Sequence, residues 1–138
     1  MVGSEVFVDS VFWIAAARQP DKQHDRAKAL GREMLDRRAI AVISDMVLAE
    51  VVTFVLKKDG HEQARKLMDL LEVNATVLFV DKSILEDAMA LLRRYWSPRK
   101  KLSVCDATSY GLMRKRQIED LYSFDSGFDG LPGITRIC

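Results

Sequence analysis

The sequence predicts an α/β protein: a three-layer α/β/α sandwich with a central, mostly parallel sheet of four to five strands. Three observations support this prediction. Short apolar runs rich in β-branched residues occur along the chain, longer segments carry apolar residues at helical spacing, and the two kinds of segment alternate. Apolar runs of this kind are typical of parallel strands that helices cover on both faces. We expect residues 1–138 to form a single domain.

The composition excludes several classes of protein. Lys and Arg number 21 against 20 Asp and Glu, so binding to nucleic acid would have to come from local basic patches. The two cysteines, Cys105 and Cys138, form no spacing typical of a zinc site or a disulfide framework. We see no signal-peptide pattern and no apolar run approaching the roughly 18 residues of a membrane span. We therefore expect a cytoplasmic protein that does not enter a membrane.

The strand predictions rest on five apolar runs, each ended by a polar residue, a turn or the end of the sequence. They cover residues 6–8, 39–43, 76–80, 121–124 and 134–137.

The helix predictions rest on apolar stripes and on start and stop signals. Pro20 interrupts the first helical segment, Ser44 and Ser103 are good N-caps, and Gly60 separates two helices that should form a hairpin. Ser83 and Glu86 have the spacing of a capping box. The predicted helices cover residues 10–17, 24–38, 45–58, 61–72, 81–96 and 104–116.

Four acidic residues fall where the predicted fold would gather them. Asp9 and Asp125 directly follow strands, while Glu50 and Asp106 lie within two turns of a helix start. In open α/β sheets, ligands bind beyond the carboxyl ends of the strands, and right-handed crossovers put those ends on one edge. Four carboxylates close together repel one another and raise each other's pKa values, which favours a bound divalent cation. Oxygen ligands suit Mg²⁺ or Mn²⁺, which can activate water for attack on a phosphodiester.

Each acid also has an ordinary structural interpretation. Asp9 would suit a turn or a helix cap, and Glu50 would suit a solvated helix surface. Asp106 would pair with Ser103 in a capping box, and Asp125 would suit a turn, as would Asp129. The joint pattern is stronger than its parts because all four positions fall on one predicted edge.

The ordered set of motifs resembles the PIN-domain ribonucleases, and most of all the short, single-domain VapC-type toxins of toxin–antitoxin pairs. The resemblance spans nearly the whole chain, although no single motif is specific by itself. It rests on Val8-Asp9-Ser10, on Ser44 to Glu50 at a helix start, on Ser103-Val104-Cys105-Asp106-Ala107, and on Ser123-Phe124-Asp125 continuing to Asp129.

This resemblance implies a PIN-like fold, Mg²⁺- or Mn²⁺-dependent endonucleolytic cleavage of RNA, homodimerisation, and inhibition by a small antitoxin protein. It implies 5′-phosphate and 3′-hydroxyl products. By the same resemblance, the acidic ligands are Asp9, Glu50, Asp106 and Asp125, with Asp129 as a candidate further ligand and Ser123 as a supporting hydroxyl residue. Ser10 stands where family members often have Thr and keeps the hydroxyl.

Two further groups of residues bear on the mechanism. A metal-free ribonuclease would commonly need a pair of histidines, but His24 and His61 have polar neighbours typical of solvated residues. A basic loop precedes the Asp106 helix and is the first candidate for RNA phosphate contacts; it carries Arg99, Lys100 and Lys101. Three apolar residues flank the core stripe of the predicted hairpin and could pack in the core or contact a second copy or an antitoxin: Phe54, Leu56 and Met68.

Two rival functions remain open at this stage. An aspartate-nucleophile phosphatase or phosphotransferase would use Asp9 to attack phosphorus, but it would usually have a second Asp where this sequence has Val11. A non-catalytic RNA-processing or RNA-binding module would keep the fold without the activity. The presence of all four acids argues against that second rival.

Overall fold

The computed structural model describes residues 3–138 and contains one five-stranded sheet with helices on both sides. The strands are β1 (Glu5–Val8), β2 (Ile40–Ser44), β3 (Ala75–Leu78), β4 (Asp120–Tyr122) and β5 (Thr135–Ile137). The helices are α1 (Ser10–Ala17), α2 (His24–Asp36), α3 (Asp45–Asp59), α4 (His61–Asn74), α5 (Lys82–Tyr95) and α6 (Val104–Arg116), with a 3₁₀ turn at Ser126–Phe128.

The sheet is parallel throughout, in the order β3-β2-β1-β4-β5. The chain moves from β1 to β2 to β3 in one direction and then returns across the sheet to β4. Right-handed crossovers therefore place α1 to α4 on one face and α5 and α6 on the other. This arrangement confirms the predicted three-layer α/β/α sandwich. All five strands point their carboxyl ends toward the same edge, which we call the carboxyl edge; the opposite one is the amino edge.

The core is centred on β1, the middle strand of the sheet. Val6, Phe7 and Val8 are fully buried, as expected for a strand covered by helices on both faces. Burying such side chains stabilises the fold by about 1.5–3 kcal/mol each. The strand is therefore held rigidly at the point where its last residue precedes Asp9.

Two predicted caps are present and fix helix starts at the carboxyl edge. The Ser44 hydroxyl accepts a hydrogen bond from the Val47 amide at 3.0 Å. The Ser103 hydroxyl accepts one from the Asp106 amide at 3.0 Å, and the Asp106 carboxylate in turn accepts one from the Ser103 amide at 3.4 Å. Gly60 joins α3 and α4 with φ of +90°, which a side chain would strain, so the predicted hairpin is confirmed.

The capping box predicted from Ser83 and Glu86 is wrong. Asp81 is the N-cap of α5, and its carboxylate accepts a hydrogen bond from the Ile84 amide at 2.8 Å. Ser83 lies inside the first turn, and Glu86 lies 3.7 Å from Lys82 instead. An Asp two residues before the predicted cap takes the same role, because it reaches the free amide three residues ahead.

Two predicted strand ends also lie too far along the chain. β3 ends at Leu78 rather than residue 80, because its pairing with β2 ends where β2 itself ends, at Ser44. Phe79 is then 73% exposed, and the Val80 amide bonds to the Asp45 carboxylate. β4 ends before residue 123, for a reason that bears on the site. In the described part of the chain no helix is long and apolar enough to span a bilayer.

Candidate active site

Asp9 lies at the carboxyl end of the central strand and at the N-cap position of α1. Its backbone amide bonds to the Tyr122 carbonyl at 3.0 Å, which continues the β1–β4 ladder by one step. Its side chain is 1% exposed, and its Oδ2 accepts a hydrogen bond from the Ser123 hydroxyl at 2.8 Å. Its Oδ1 is buried and has no hydrogen-bond partner in the described residues. Burying a carboxylate oxygen without a hydrogen-bond partner is costly, and a bound cation or a proton would offset that cost.

Ser123 connects Asp9 to Asp125. Its backbone amide bonds to the Ile137 carbonyl, and its hydroxyl accepts a hydrogen bond from the Asp125 amide at 3.0 Å. The predicted strand through residue 124 is therefore too long, because the chain turns at Ser123 to bring this hydroxyl against Asp9. The half-buried Asp125 carboxylate accepts a hydrogen bond from the Gly127 amide at 2.8 Å. A Cβ at Gly127 would lie only 3.1 Å from that same Asp125 oxygen.

Asp106 and Glu50 reach the same edge from two helices. Asp106 is 8% exposed and held by the Ser103 capping box in the first turn of α6. Glu50, on α3, is exposed and accepts a hydrogen bond from the Ser10 hydroxyl at 2.9 Å. Ser10 is buried directly after Asp9, so it ties Glu50 to the end of the central strand.

The acids act on one another electrostatically. Burial and, next, the charge of Asp106 raise the pKa of Asp9 to about 7, with a smaller contribution from Asp125. Burial also raises the pKa of Asp106 to about 6, and the charges of Asp125 and Glu50 add to it. The pKa of the Cys105 thiol is raised by burial and by Glu50. The structure therefore brings the four acids close enough at the carboxyl edge for their charges to act on one another.

Within the described residues, 3–138, no positively charged side chain pairs with these four acids, since none of them forms an ion pair with Lys, Arg or His. In the same range, no group of three His, Cys, Asp or Glu side chains is arranged so that it could hold a metal ion by itself. Mg²⁺ usually keeps several waters and binds through one or two carboxylates, so a full protein cage is not required. The orphaned Asp9 oxygen and the hard oxygen donors around it fit a hydrated divalent cation.

The other predicted site residues lie in different settings. Asp129 is exposed, and both of its carboxylate oxygens are paired with Arg136 at 2.8 and 3.0 Å. The Lys100 ammonium group donates to the Asp129 carbonyl at 3.0 Å and lies over the Tyr95 ring, so it already makes contacts within the protein. Arg99 and Lys101 are exposed.

Sequence reasoning was incomplete for two residues. His24 is half-buried rather than solvated, because its Nδ1 donates to the Ala15 carbonyl at 2.8 Å. The sequence also does not predict the contacts of Arg136 with Asp129 and with the Ser123 carbonyl. The only signal in the sequence was a basic residue in the middle of the last predicted strand, which gives no indication of its partners.

Comparisons with known proteins agree with this geometry. The PIN domain matches residues 6–134. The chain is 32% identical to the 23S rRNA-specific endonuclease VapC20 of Mycobacterium tuberculosis over 124 residues, which cover 89% of this chain and 91% of that protein. It is 30% identical to ribonuclease VapC13 of the same organism over 135 residues, covering 96% and 98%.

Solved structures agree as well. The crystal structure of VapC20, described as a sarcin-ricin loop cleaving toxin, superposes with a TM-score of 0.81 at 30% identity and covers 94% of this chain and 96% of that one. VapBC2 from Rickettsia felis, bound to a promoter DNA fragment, has a TM-score of 0.70 at 14% identity and covers 96% and 97%, which shows the shared fold alone.

These matches decide between the functions that the sequence left open. VapC nucleases with a PIN domain generally depend on a divalent metal. A PIN match over most of the chain gives no support to an aspartate-nucleophile phosphatase. The chain belongs to the PIN-domain family and is a ribonuclease of the VapC type.

Proposed function

We propose that residues 1–138 act as a single PIN-like domain that cleaves RNA endonucleolytically with Mg²⁺ or Mn²⁺. Asp9, Asp106 and Asp125 are the metal ligands in this proposal, and Glu50 binds the metal or orients its water. One observation carries the proposal. Four acids from distant parts of the chain come together at the carboxyl edge; within residues 3–138, one of them has a buried, unpartnered oxygen and none of them pairs with a basic side chain.

The chain's own residues would position the reaction. Ser123 fixes one oxygen of Asp9 and leaves the other free to face the metal position. Ser10 donates a hydrogen bond to one oxygen of Glu50, which would hold this carboxylate where it can bind the metal or orient its water. When bound, the metal would supply an activated water and offset negative charge on the phosphodiester.

RNA contacts would come from residues outside this cluster. Arg99 and Lys101 are exposed and free to contact phosphates, whereas Lys100 already serves the fold. Neither His24 nor His61 is among the groups whose charge acts on Asp9 or Asp106. A water-mediated route leaves 5′-phosphate and 3′-hydroxyl ends.

The substrate and partners follow from the relatives. VapC20 is named for 23S rRNA, so that RNA, in intact ribosomes, is the first substrate to test. Solved relatives from Rickettsia felis and Salmonella typhimurium are VapBC assemblies, which supports a small antitoxin as partner of this chain. Exposed apolar side chains on the α3–α4 hairpin, Leu56 and Met68 among them, are available for an antitoxin or for a second copy of the chain.

The experiment is a cleavage assay on purified ribosomes with Mn²⁺, with EDTA, and with the Asp106→Asn variant. We expect discrete cleavage by the wild type with Mn²⁺, 5′-phosphate ends, and no cleavage in the other two reactions. Cleavage that persists in EDTA would contradict metal dependence. A wild type that binds Mn²⁺ and RNA without cutting any RNA supplied would favour the non-catalytic binding module.

A further inference from the structure

Of the four acids at the carboxyl edge, Asp125 lies on the loop between β4 and β5. We call residues 123–134, which connect β4 to β5, the Asp125 loop. Parallel neighbouring strands are usually joined through a helix, but this connection contains only the 3₁₀ turn at Ser126–Phe128. Asp9 is held by a strand and Asp106 by a capped helix. The position of Asp125 instead depends on the few side chains that tether its loop.

Arg136 supplies the strongest of these tethers. Its Nε and Nη2 donate to the two carboxylate oxygens of Asp129 at 2.8 and 3.0 Å, in the bidentate geometry that arginine favours. Its Nη1 donates to the Ser123 carbonyl at 3.2 Å. Lys100 adds a bond from its Nζ to the Asp129 carbonyl. Arg136 therefore holds the loop by hydrogen bonds at Ser123 and at Asp129, on both sides of Asp125.

The hydrogen bond from Arg136 to the Ser123 carbonyl connects Arg136 to the acids of the site. The Ser123 hydroxyl donates to Asp9 and accepts from the Asp125 amide, so a shift of the Ser123 backbone would move both contacts together. A role for Arg136 in binding an RNA phosphate fits less well. Its side chain is 18% exposed and each of its guanidinium nitrogens has an acceptor, which leaves little for an RNA phosphate.

We propose that Arg136 is a positioning residue that holds Asp125 and Ser123 in place beside Asp9 by clamping the Asp125 loop at Ser123 and Asp129, on either side of Asp125. This inference rests on the proposed function, because it assumes that these carboxylates bind a metal. It also assigns Asp129 a part in the clamp rather than in the metal site. Loss of a residue that orients metal ligands typically weakens metal binding by about 10–100-fold.

Titration of Mn²⁺ by calorimetry into folded wild-type protein, Arg136→Gln and Arg116→Gln tests the clamp. Arg116 is a matched control, since it makes the same bidentate contact with Glu5, at 2.9 Å for both closest pairs, but at the amino edge. We expect the Kd for Mn²⁺ to rise about 10-fold in Arg136→Gln and to stay within about twofold of wild type in Arg116→Gln. The kcat for RNA should fall in Arg136→Gln while KM changes little.

The outcomes separate the clamp from the metal site. A purely structural role would lower the melting temperature of both variants and leave the Kd for Mn²⁺ unchanged in both, which would overturn the proposal. If Arg136→Gln does not fold, Arg136→Lys decides, because it keeps the charge but loses the bidentate contact; weaker Mn²⁺ binding supports the clamp and an unchanged Kd refutes it. Wild-type protein that binds no Mn²⁺ would refute the proposed function itself, and the clamp with it.

Discussion

The carboxylates at the two edges of the sheet differ in whether they pair with an arginine. At the amino edge, Glu5 at the start of β1 pairs with Arg116, and Asp120 at the start of β4 pairs with Arg37 at 3.1 Å. At the carboxyl edge, Asp9 follows the same central strand and has no basic partner among the described residues, although it is far more deeply buried. The fold can thus supply arginines to acids at the ends of its strands, but within residues 3–138 none pairs with the four site acids.

The difference is selective even within the carboxyl edge. The Asp129 carboxylate pairs with Arg136, whereas in the described part of the chain the Asp125 carboxylate, on the same loop, accepts a hydrogen bond only from the Gly127 amide. Uncompensated charge in a buried pocket destabilises a fold, and such groups cluster at functional sites. The contrast indicates that the carboxyl-edge acids serve cation binding at some cost in stability. Each of the following predictions tests this contrast.

The largest expected effect comes from neutralising Asp9. Asp9→Asn should reduce RNA cleavage by at least about a hundredfold, because a ligand oxygen is lost. The same change should raise the melting temperature in EDTA, since it removes repulsion with Asp106 and the cost of burying a charge. Cleavage assays and thermal unfolding measure the two effects. Glu5→Gln is the amino-edge control and should leave cleavage unchanged while lowering stability; an active Asp9→Asn protein would contradict the assignment.

The pH dependence of stability should show the same cost of burying carboxylates that repel one another. The pKa values of Asp9, about 7, and Asp106, about 6, lie above the ordinary 3.8. Between about pH 4 and pH 7, the folded protein therefore binds more protons than the unfolded chain does. The free energy of unfolding without metal should fall as the pH rises through this range. Thermal unfolding in EDTA at pH 5 and pH 8 measures this, with a lower melting temperature expected at pH 8. Asp9→Asn should flatten the difference, and a metal-free wild type more stable at pH 8 would argue against buried, repelling acids.

A smaller effect is expected from removing the hydroxyl that orients Asp9. Ser123→Ala leaves the second oxygen of Asp9 without its donor and the Asp125 amide without its acceptor. We expect about a tenfold loss of cleavage rate and of Mn²⁺ affinity, as for other residues that orient metal ligands. Ser126→Ala, an exposed serine of the same loop, should behave as wild type. Ser123→Ala with wild-type rate and affinity would show that this bond does not orient the ligand.

The smallest effect belongs to the amino edge. Arg37→Gln removes the pair with Asp120 and a cation–π contact with the Tyr122 ring, 5.6 Å from its centroid. Both groups of the pair are partly exposed, so the free energy of unfolding should fall by only about 1 kcal/mol, and by less at high salt. Urea denaturation at two salt concentrations measures this. A loss of Mn²⁺ binding in this variant would mean that the two edges are not independent.

The sequence was sufficient to predict what local rules govern. The apolar run at residues 6–8 marked a buried strand, and Ser44 and Ser103 marked helix starts, because strand burial and N-capping depend on residues close in the chain. The predicted convergence of Asp9 and Asp106 followed from a parallel sheet and right-handed crossovers, which put the carboxyl ends of the strands on one edge. These rules place residues on an edge of the sheet but do not give distances between their side chains.

The predictions that were wrong or missing concern features that depend on side-chain contacts, several of them between residues far apart in the sequence. The end of β4 depends on where β1 stops pairing and on the Ser123–Asp9 bond, which joins residues 114 positions apart. The Arg136 clamp depends on how the Asp125 loop folds back onto β5. At the start of α5, two residues competed to cap the same turn, and Asp81 reaches the Ile84 amide while Ser83 does not. Propensity alone could not rank them.

The central claim is that a cation completes the carboxyl edge, and anomalous diffraction from crystals grown with Mn²⁺ tests it most directly. The account predicts one anomalous peak within coordination distance of Asp9 Oδ1 and of oxygens from Asp106 or Asp125, absent in Asp9→Asn crystals. Peaks found only elsewhere on the molecule, or none at saturating Mn²⁺, would contradict it.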